Sequence, residues 1–318
     1  MWSNLNLLKG IFIGFGNYGQ KLINIFDLTC SVEWLGVISK TGNKHFKNTS
    51  NIESLLGIAD FIVIACPDPF HLDWLEYLSR MNYQGYIFCE KSPVVDSTQL
   101  KNLKNLKVFY NFPLIDSPMH KIALEAIARK QSISINWGHS FALKKEYIDN
   151  WRSDSRINPY GVGTSLAIHF VHLLIVSLNE VRSHKMEYIN IAKTGSSPDT
   201  VRIVLTAKNK INHYINCSYS IIETQDMILD DAIKYNFIRE DNLGNANQIS
   251  NIGGSSLYPS LGTTYITEPF KIGNRQSVDT FLLFVRSNSA VVQDFNLIQK
   301  SLEVLFTQKN SSRLKLNT

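Results

Sequence analysis

Cysteine is scarce in this chain: Cys30, Cys66, Cys89 and Cys217 are the four among 318 residues, far apart and without a Cys-x-x-Cys pair. That spacing excludes a disulfide scaffold and zinc-finger arrangements, and it fits free thiols in a reducing compartment. Long apolar runs are missing too. No stretch of eighteen uncharged apolar residues occurs, so a membrane-spanning helix is excluded and no membrane partner is expected. The opening Met1-Trp2-Ser3-Asn4 lacks a cationic stretch and a small-residue cleavage site, which argues against a signal peptide and makes cytoplasm the expected location. Nor is there much excess charge of one sign: 32 basic against 27 acidic residues leave +5. The excess is scattered and forms no basic stripe interleaved with aromatics, so nucleic acid is not an expected partner, whereas small anionic ligands such as nucleotides are compatible.

What is present suits a folded globular chain: 44% hydrophobic and 19% charged residues, over a length that predicts two packed domains. Over the first hundred residues, strand and helix patterns alternate. The run 9–14 reads as a strand, and Leu22, Ile23 and Phe26 mark one face of a following helix. Val32–Ile38 and Asp60–Cys66 read as strands, the second ended by Pro67. His71–Met81 reads as an amphipathic helix carrying Leu72, Leu75 and Leu78, and Tyr86–Cys89 as a further strand. Such alternation predicts a parallel sheet with helices on both faces.

Between the first strand and the first helix stands Gly14-Phe15-Gly16-Asn17-Tyr18-Gly19. In this context the glycines have separate physical tasks. Gly14 permits a tight turn, Gly16 lets backbone approach a pyrophosphate, and Gly19 lets the helix pack closely on the strand. The helix then offers unpaired N–H groups to the phosphates. A dinucleotide site of this kind, including Asn17 and Tyr18, is the expectation; an ordinary glycine turn is the plain alternative. Sites specific for NAD carry an acid near the end of the second strand to accept from ribose hydroxyls. Here Ser39-Lys40-Thr41 stand there instead, and hydroxyl donors with a cation suit a 2′-phosphate. NADP is therefore favoured as cofactor, with NAD possible, unless Lys40 is only a solvated loop lysine.

The strings Ala65-Cys66-Pro67-Asp68-Pro69-Phe70-His71 and Glu90-Lys91-Ser92-Pro93, followed by Asn111-Phe112 and by Gly161-Val-Gly163-Thr-Ser165-Leu-Ala-Ile-His169, resemble the glucose–fructose oxidoreductase / inositol dehydrogenase / MocA (Gfo/Idh/MocA) family. The resemblance spans essentially the whole chain, more loosely in the second half. It implies an N-terminal Rossmann domain over 1–115. It also implies a C-terminal α+β domain over 116–318, with an open, mostly antiparallel sheet that binds substrate and supports a homo-oligomer. The residues agree in outline: Ile122, Leu124 and Ile127 suggest a helix, and 132–137, 186–192, 201–207 and 213–221 read as strands. Residues 240–256 read as a loop, 294–305 as a helix, and 308–318 as a frayed tail.

By the same resemblance Lys91 is the leading catalytic residue, lying between cofactor and substrate, where a desolvated amine beside an oxidised nicotinamide suits proton transfer. A surface ion pair with Glu90 is the plain reading. His169 is the second catalytic candidate, orienting the substrate or exchanging its proton. Cys66, Pro67, His71 and Glu90 are expected near the cofactor, though packing beneath the Pro67 turn also suits His71. Ser165 and His172 occupy positions where the family usually carries acids, so they are expected to line the substrate site with Lys91 and His169. The family's Pro after Lys is Ser92 here, with Pro93 displaced by one. No metal is expected, because two imidazoles beside a lysine lack a carboxylate. The implied activity is NAD(P)-dependent hydride transfer to or from a hydroxyl or keto carbon of a sugar or sugar nucleotide. The alternatives are a non-catalytic nucleotide-binding regulator or partner subunit, and a biliverdin-reductase-like reductase of a non-sugar double bond.

Overall fold

The computed structural model describes residues 7–39, 52–93, 99–100, 103, 105–221, 224–238, 262–267, 269–291 and 293–306. Lys40, Thr41, the expected loop at 240–256 and the tail at 308–318 lie outside the described residues. The chain divides into two compact units: Met1–Asp116 with Gly273–Gln299, and Ser117–Ile272 with Lys300–Thr318.

The first unit carries a five-stranded sheet in the order β2-β1-β3-β4-β5, with every pairing parallel. Its strands are β1 (Leu8–Ile13), β2 (Val32–Ile38), β3 (Phe61–Ile64), β4 (Tyr86–Glu90) and β5 (Lys107–Asn111). All four residues of β3 and all five of β4 are buried, as parallel strands covered on both faces require. Helix α1 (Asn17–Thr29) buries Gly19, Leu22, Ile23 and Phe26, and a short helix α2 spans Glu53–Leu56. Helix α3 (His71–Arg80) buries His71, Leu75 and Leu78. From β1 the chain passes to β2 on one side and then to β3 on the other. The β1–α1 turn therefore stands at a switch point, where such sheets leave a crevice beyond their carboxyl ends.

The core of this unit is aromatic. Phe12, Phe26, Phe61, Phe88 and Phe109 are joined by Phe281 from a helix near the end of the chain. Phe281 lies 5.3 Å from Phe88, 5.7 Å from Phe61 and 6.2 Å from Phe26, each edge to face.

The second unit begins with α4 (Pro118–Ala128), whose Ser117 cap accepts from Met119 N, and a short helix α5 (Lys145–Ile148) follows. Its sheet has seven strands in the order β12-β11-β10-β6-β9-β8-β7. They are β6 (Ile133–Gly138), β7 (Val181–Ile189), β8 (Thr200–Ala207), β9 (Asn212–Ser218), β10 (Thr224–Leu229), β11 (Ile233–Ile238) and β12 (Gly262–Thr267). Only β6–β9 and β11–β12 run parallel, so this sheet is mixed and mostly antiparallel, as expected. Strand β7 starts at Val181, five residues before its apolar pattern does. Among the described residues it is an edge strand paired only to β8, and most of its early side chains are at least part exposed. Helix α6 (Ile168–Leu178) is buried nearly all round, and Phe170 packs 5.0 Å from Trp137 of β6. Helices α7 (Pro269–Ser287) and α8 (Phe295–Phe306) close the described chain, and each has residues in both units.

Candidate functional site

The glycine turn is built as its sequence requires. Gly14 has φ +94°, and a side chain there would collide with the backbone of Ala65 and Cys66 at the end of β3. A side chain on Gly19 would strike the carbonyl of Gly14. Gly16 differs: a Cβ there would meet nothing within 4 Å, so the missing side chain leaves open space at the start of α1. No side chain caps that helix start, and no acid stands in its first turn. Exposed backbone donors without a competing carboxylate suit a pyrophosphate, so the residues fit a dinucleotide. Asn17 opens the helix. Gly14 N donates to Ile38 O at 2.9 Å, which ties the glycine turn to the end of β2 and sets half-buried Ser39 beside it.

Tyr18 exposes much of its ring but turns its hydroxyl inward. That hydroxyl lies 2.9 Å from Glu90 Oε1 and 3.0 Å from Asn274 Oδ1. Asn111 Nδ2 donates to the same two oxygens, at 2.7 and 2.8 Å. Burial pushes the Glu90 carboxyl above its ordinary value, an effect that the Asn111 bond eases. Burial, and then the Glu90 charge, push the Tyr18 phenol well up. The tyrosine between the second and third glycines thus anchors on the strand end that carries Lys91.

Strands β3 and β4 run side by side with Ile64 level with Cys89, so the loops that follow them emerge together. This brings Lys91 to Asp68. Lys91 Nζ donates to both carboxylate oxygens, at 3.0 and 3.2 Å, and both side chains are about nine-tenths buried. Asp68 opens a single 3-10 turn, Asp68–Phe70, that leads directly into α3. In the sequence the adjacent Glu90 is the plain partner for Lys91, and Asp68 has no assigned role. The available signal is an acid beside Pro67 on one strand end and a lysine at the matching level of the next.

His71 is fully buried, with Nε2 2.7 Å from Cys66 O and Nδ1 3.3 Å from Ser92 O. Burial lowers its basicity, against an opposing pull from the Asp68 charge. Both contacts are to carbonyl oxygens, so a neutral ring standing between the two loops donates to only one of them. Burial also pushes the half-buried Cys66 thiol up to about 12, with the Asp68 charge adding to the shift. Ser92 has φ +55°, a left-handed backbone that no proline ring reaches, which accounts for the displaced Pro93.

In the second unit, residues 163–167 form a π-helical turn ahead of α6. Ser165 Oγ donates to Gly161 O at 2.7 Å and accepts from Tyr219 at 2.9 Å, which embeds the hydroxyl in that turn. His169 is buried, its ring edge-on to Phe270 at 5.0 Å. His172 Nδ1 lies 3.0 Å from Ser301 Oγ, and burial, followed by the nearby His120, takes that imidazole down to about 3. Among the described residues no cluster of His, Cys, Asp and Glu is arranged to hold a metal ion.

A parallel sheet with a glycine turn after its first strand, followed by a mixed, mostly antiparallel sheet, defines an α/β fold of two units. No protein-family model matches the chain, and no curated protein matches it. Solved structures share its fold. GenD2 from gentamicin A biosynthesis, in complex with NAD, superposes with a TM-score of 0.72 at 14% identity, covering 94% of this chain and 92% of that one. Levoglucosan dehydrogenase, in complex with NADH and levoglucosan, gives 0.69 at 13%, covering 94% and 95%. A myo-inositol dehydrogenase from Corynebacterium glutamicum ATCC 13032 gives 0.67 at 14%, covering 94% of each. The fold is the one that the family resemblance implies.

Proposed function

We propose that this protein is a nicotinamide-dinucleotide-dependent oxidoreductase acting on a hydroxyl or keto carbon of a sugar or sugar nucleotide. One observation carries the reading: the glycine turn after β1 and the buried Lys91 after β4 open at the same carboxyl edge of one sheet. They are two strand spacings apart, about 10 Å, which a dinucleotide spans. Solved structures of this fold include proteins named for sugar or inositol oxidation and two with NAD or NADH bound, in support of the same class.

In this reading Gly14, Gly16, Asn17 and Gly19 hold the pyrophosphate at the start of α1, and Ser39, with Lys40 and Thr41, favours a 2′-phosphate and hence NADP. The bound cofactor supplies or accepts hydride. Lys91 Nζ gives its proton to the substrate oxygen when a carbonyl is reduced and takes it back when an alcohol is oxidised. His169, proposed from the motif alone, orients the substrate hydroxyl, with His172 one turn later on the same helix face. Ser165, bonded within its own turn, supplies no charge at the position where the resembled family carries an acid. That feature favours the second reading, a cofactor-binding protein without turnover.

Parallel fluorescence titrations with NADPH and NADH test the first half, with NADPH expected to bind more tightly. Binding of neither overturns the proposal. Lys91→Ala, assayed with NADPH and a panel of keto-sugars, separates the two readings. Turnover in the parent that the variant loses, at unchanged cofactor affinity, supports the enzyme. A parent that binds cofactor yet turns over nothing supports the regulator.

A further inference from the structure

Lys91 and Asp68 form a two-point ion pair in a place where neither side chain keeps more than about a tenth of its surface in water. Burying such a pair rarely stabilises a fold by itself, because losing water around two charges costs about as much as their attraction returns. A purely structural link between two loops is thus a weak reason for it. The two loops already meet without a charge pair, since the His71 ring stands between the Cys66 and Ser92 carbonyls. Asp68 also stands at the start of the turn leading into α3, where the backbone dipoles favour an anion. Among the described residues, the titratable groups around the pair include His71, whose basicity burial lowers, Glu90, whose carboxyl burial pushes up, and the thiols of Cys66 and Cys89, which burial also pushes up. Asp68 is therefore the group placed to carry the compensating negative charge.

We infer that Asp68 is a positioning and charge-partner residue for Lys91, which cancels the ammonium so that the cationic, oxidised form of a nicotinamide can lie against it. The inference rests on the dinucleotide reading above. Where the resembled family carries an acid, this chain has Ser165. Here the carboxylate comes instead from the β3–α3 loop, within the same unit as the lysine.

The oxidised and reduced cofactor differ by one charge at the nicotinamide, so the ratio of their affinities reads the local charge directly. Calorimetric titration of NADP+ and NADPH is run on the intact protein, on Asp68→Asn, on Lys91→Met and on the double variant, with Tm measured on each. In Asp68→Asn the uncancelled ammonium repels NADP+, and the ratio Kd(NADP+)/Kd(NADPH) is expected to rise by about fivefold or more. Lys91→Met leaves the carboxylate alone and lowers that ratio below the parent's. The double variant returns it toward the parent value and recovers Tm lost in the single variants. If Asp68→Asn fails to fold, the ratio in Lys91→Met decides. Equal weakening of both cofactor forms, or a ratio unmoved in either single variant, overturns the inference and leaves Asp68 a structural residue. Binding of neither form by the parent protein instead overturns the dinucleotide reading, and the inference falls with it.

Discussion

The Tyr18 hydroxyl lies 2.9 Å from Glu90 Oε1, across 72 residues of sequence. Tyr18 belongs to the glycine turn and Glu90 immediately precedes Lys91, so the bond ties the proposed phosphate site to the proposed proton-transfer site. Asn111 at the end of β5 and Asn274 in α7 complete the group. A buried carboxylate with two donors on one oxygen is held in place, and the main chain of Lys91 is held with it.

Tyr18→Phe removes one of those donors and should cost about 1–2 kcal/mol of stability at pH 7. Because burial raises the folded-state pKa of Glu90, its ionisation lowers stability as pH rises above about 4.5. The tyrosine bond favours the ionised form and offsets part of that loss. The cost of Tyr18→Phe should therefore shrink toward pH 4.5 and grow toward pH 7, as read by urea unfolding at both values. An equal cost at the two pH values would mean that the hydroxyl serves Asn274 rather than the carboxylate.

Phe281 should be indispensable to the first unit. It fills the centre of the cluster formed by Phe26, Phe61, Phe88 and Phe109, and it is fully buried. Phe281→Ala is expected to cost about 3–5 kcal/mol, whereas the exposed neighbour Leu283→Ala should cost under about 1 kcal/mol. Thermal or denaturant unfolding of the two variants measures the contrast.

Restoring the family's Glu-Lys-Pro string should harm this chain. Ser92→Pro demands φ near −65° where the backbone has +55°, so destabilisation by more than about 2 kcal/mol is expected, with weaker cofactor binding as His71 and Lys91 shift. Ser92→Gly suits the positive φ and removes a buried hydroxyl that has no partner among the described residues, so its stability should match or exceed the parent's.

His213 in β9 is fully buried, and neither ring nitrogen has a hydrogen-bond partner among the described residues. Burial takes its pKa down to about 4, against an opposing pull from Asp230. On unfolding the ring regains an ordinary value near 6.5, so the unfolded chain binds more protons between those limits. Stability should then fall as pH drops from about 6.5 to 4, by up to about 1.4 kcal/mol per pH unit from this residue. His213→Leu should raise stability by about 1–3 kcal/mol at pH 7 and by more at pH 5. Tm measured across that range on both proteins gives the comparison; a variant less stable than the parent would show the imidazole to be satisfied.

Much of the first unit is legible in one dimension because its signals are local. The glycine spacing, the β3 run ended by Pro67 and the apolar face of α3 each depend on neighbours within a few residues. The β7 edge strand is only half visible, since its first residues pair through their backbone while their side chains face water. Asp68 is visible as a residue but not as a partner, because its meeting with Lys91 depends on the register of β3 against β4, 23 positions apart. The inward turn of the Tyr18 hydroxyl depends on Glu90, Asn111 and Asn274, drawn from three distant segments.

Local sequence therefore suffices for the alternation of strand and helix, the backbone freedom at Gly14 and the opening at Gly16, because these are set by steric limits within a short span. Which carboxylate faces Lys91 is settled only by three-dimensional packing. The same packing sets Phe281 in the core of the first sheet, far along the chain from the Phe61 and Phe88 rings that it touches. The reason is physical. A buried charge or ring takes whatever partner the packing brings within reach, and parallel strands with a returning helix bring partners from anywhere along the chain.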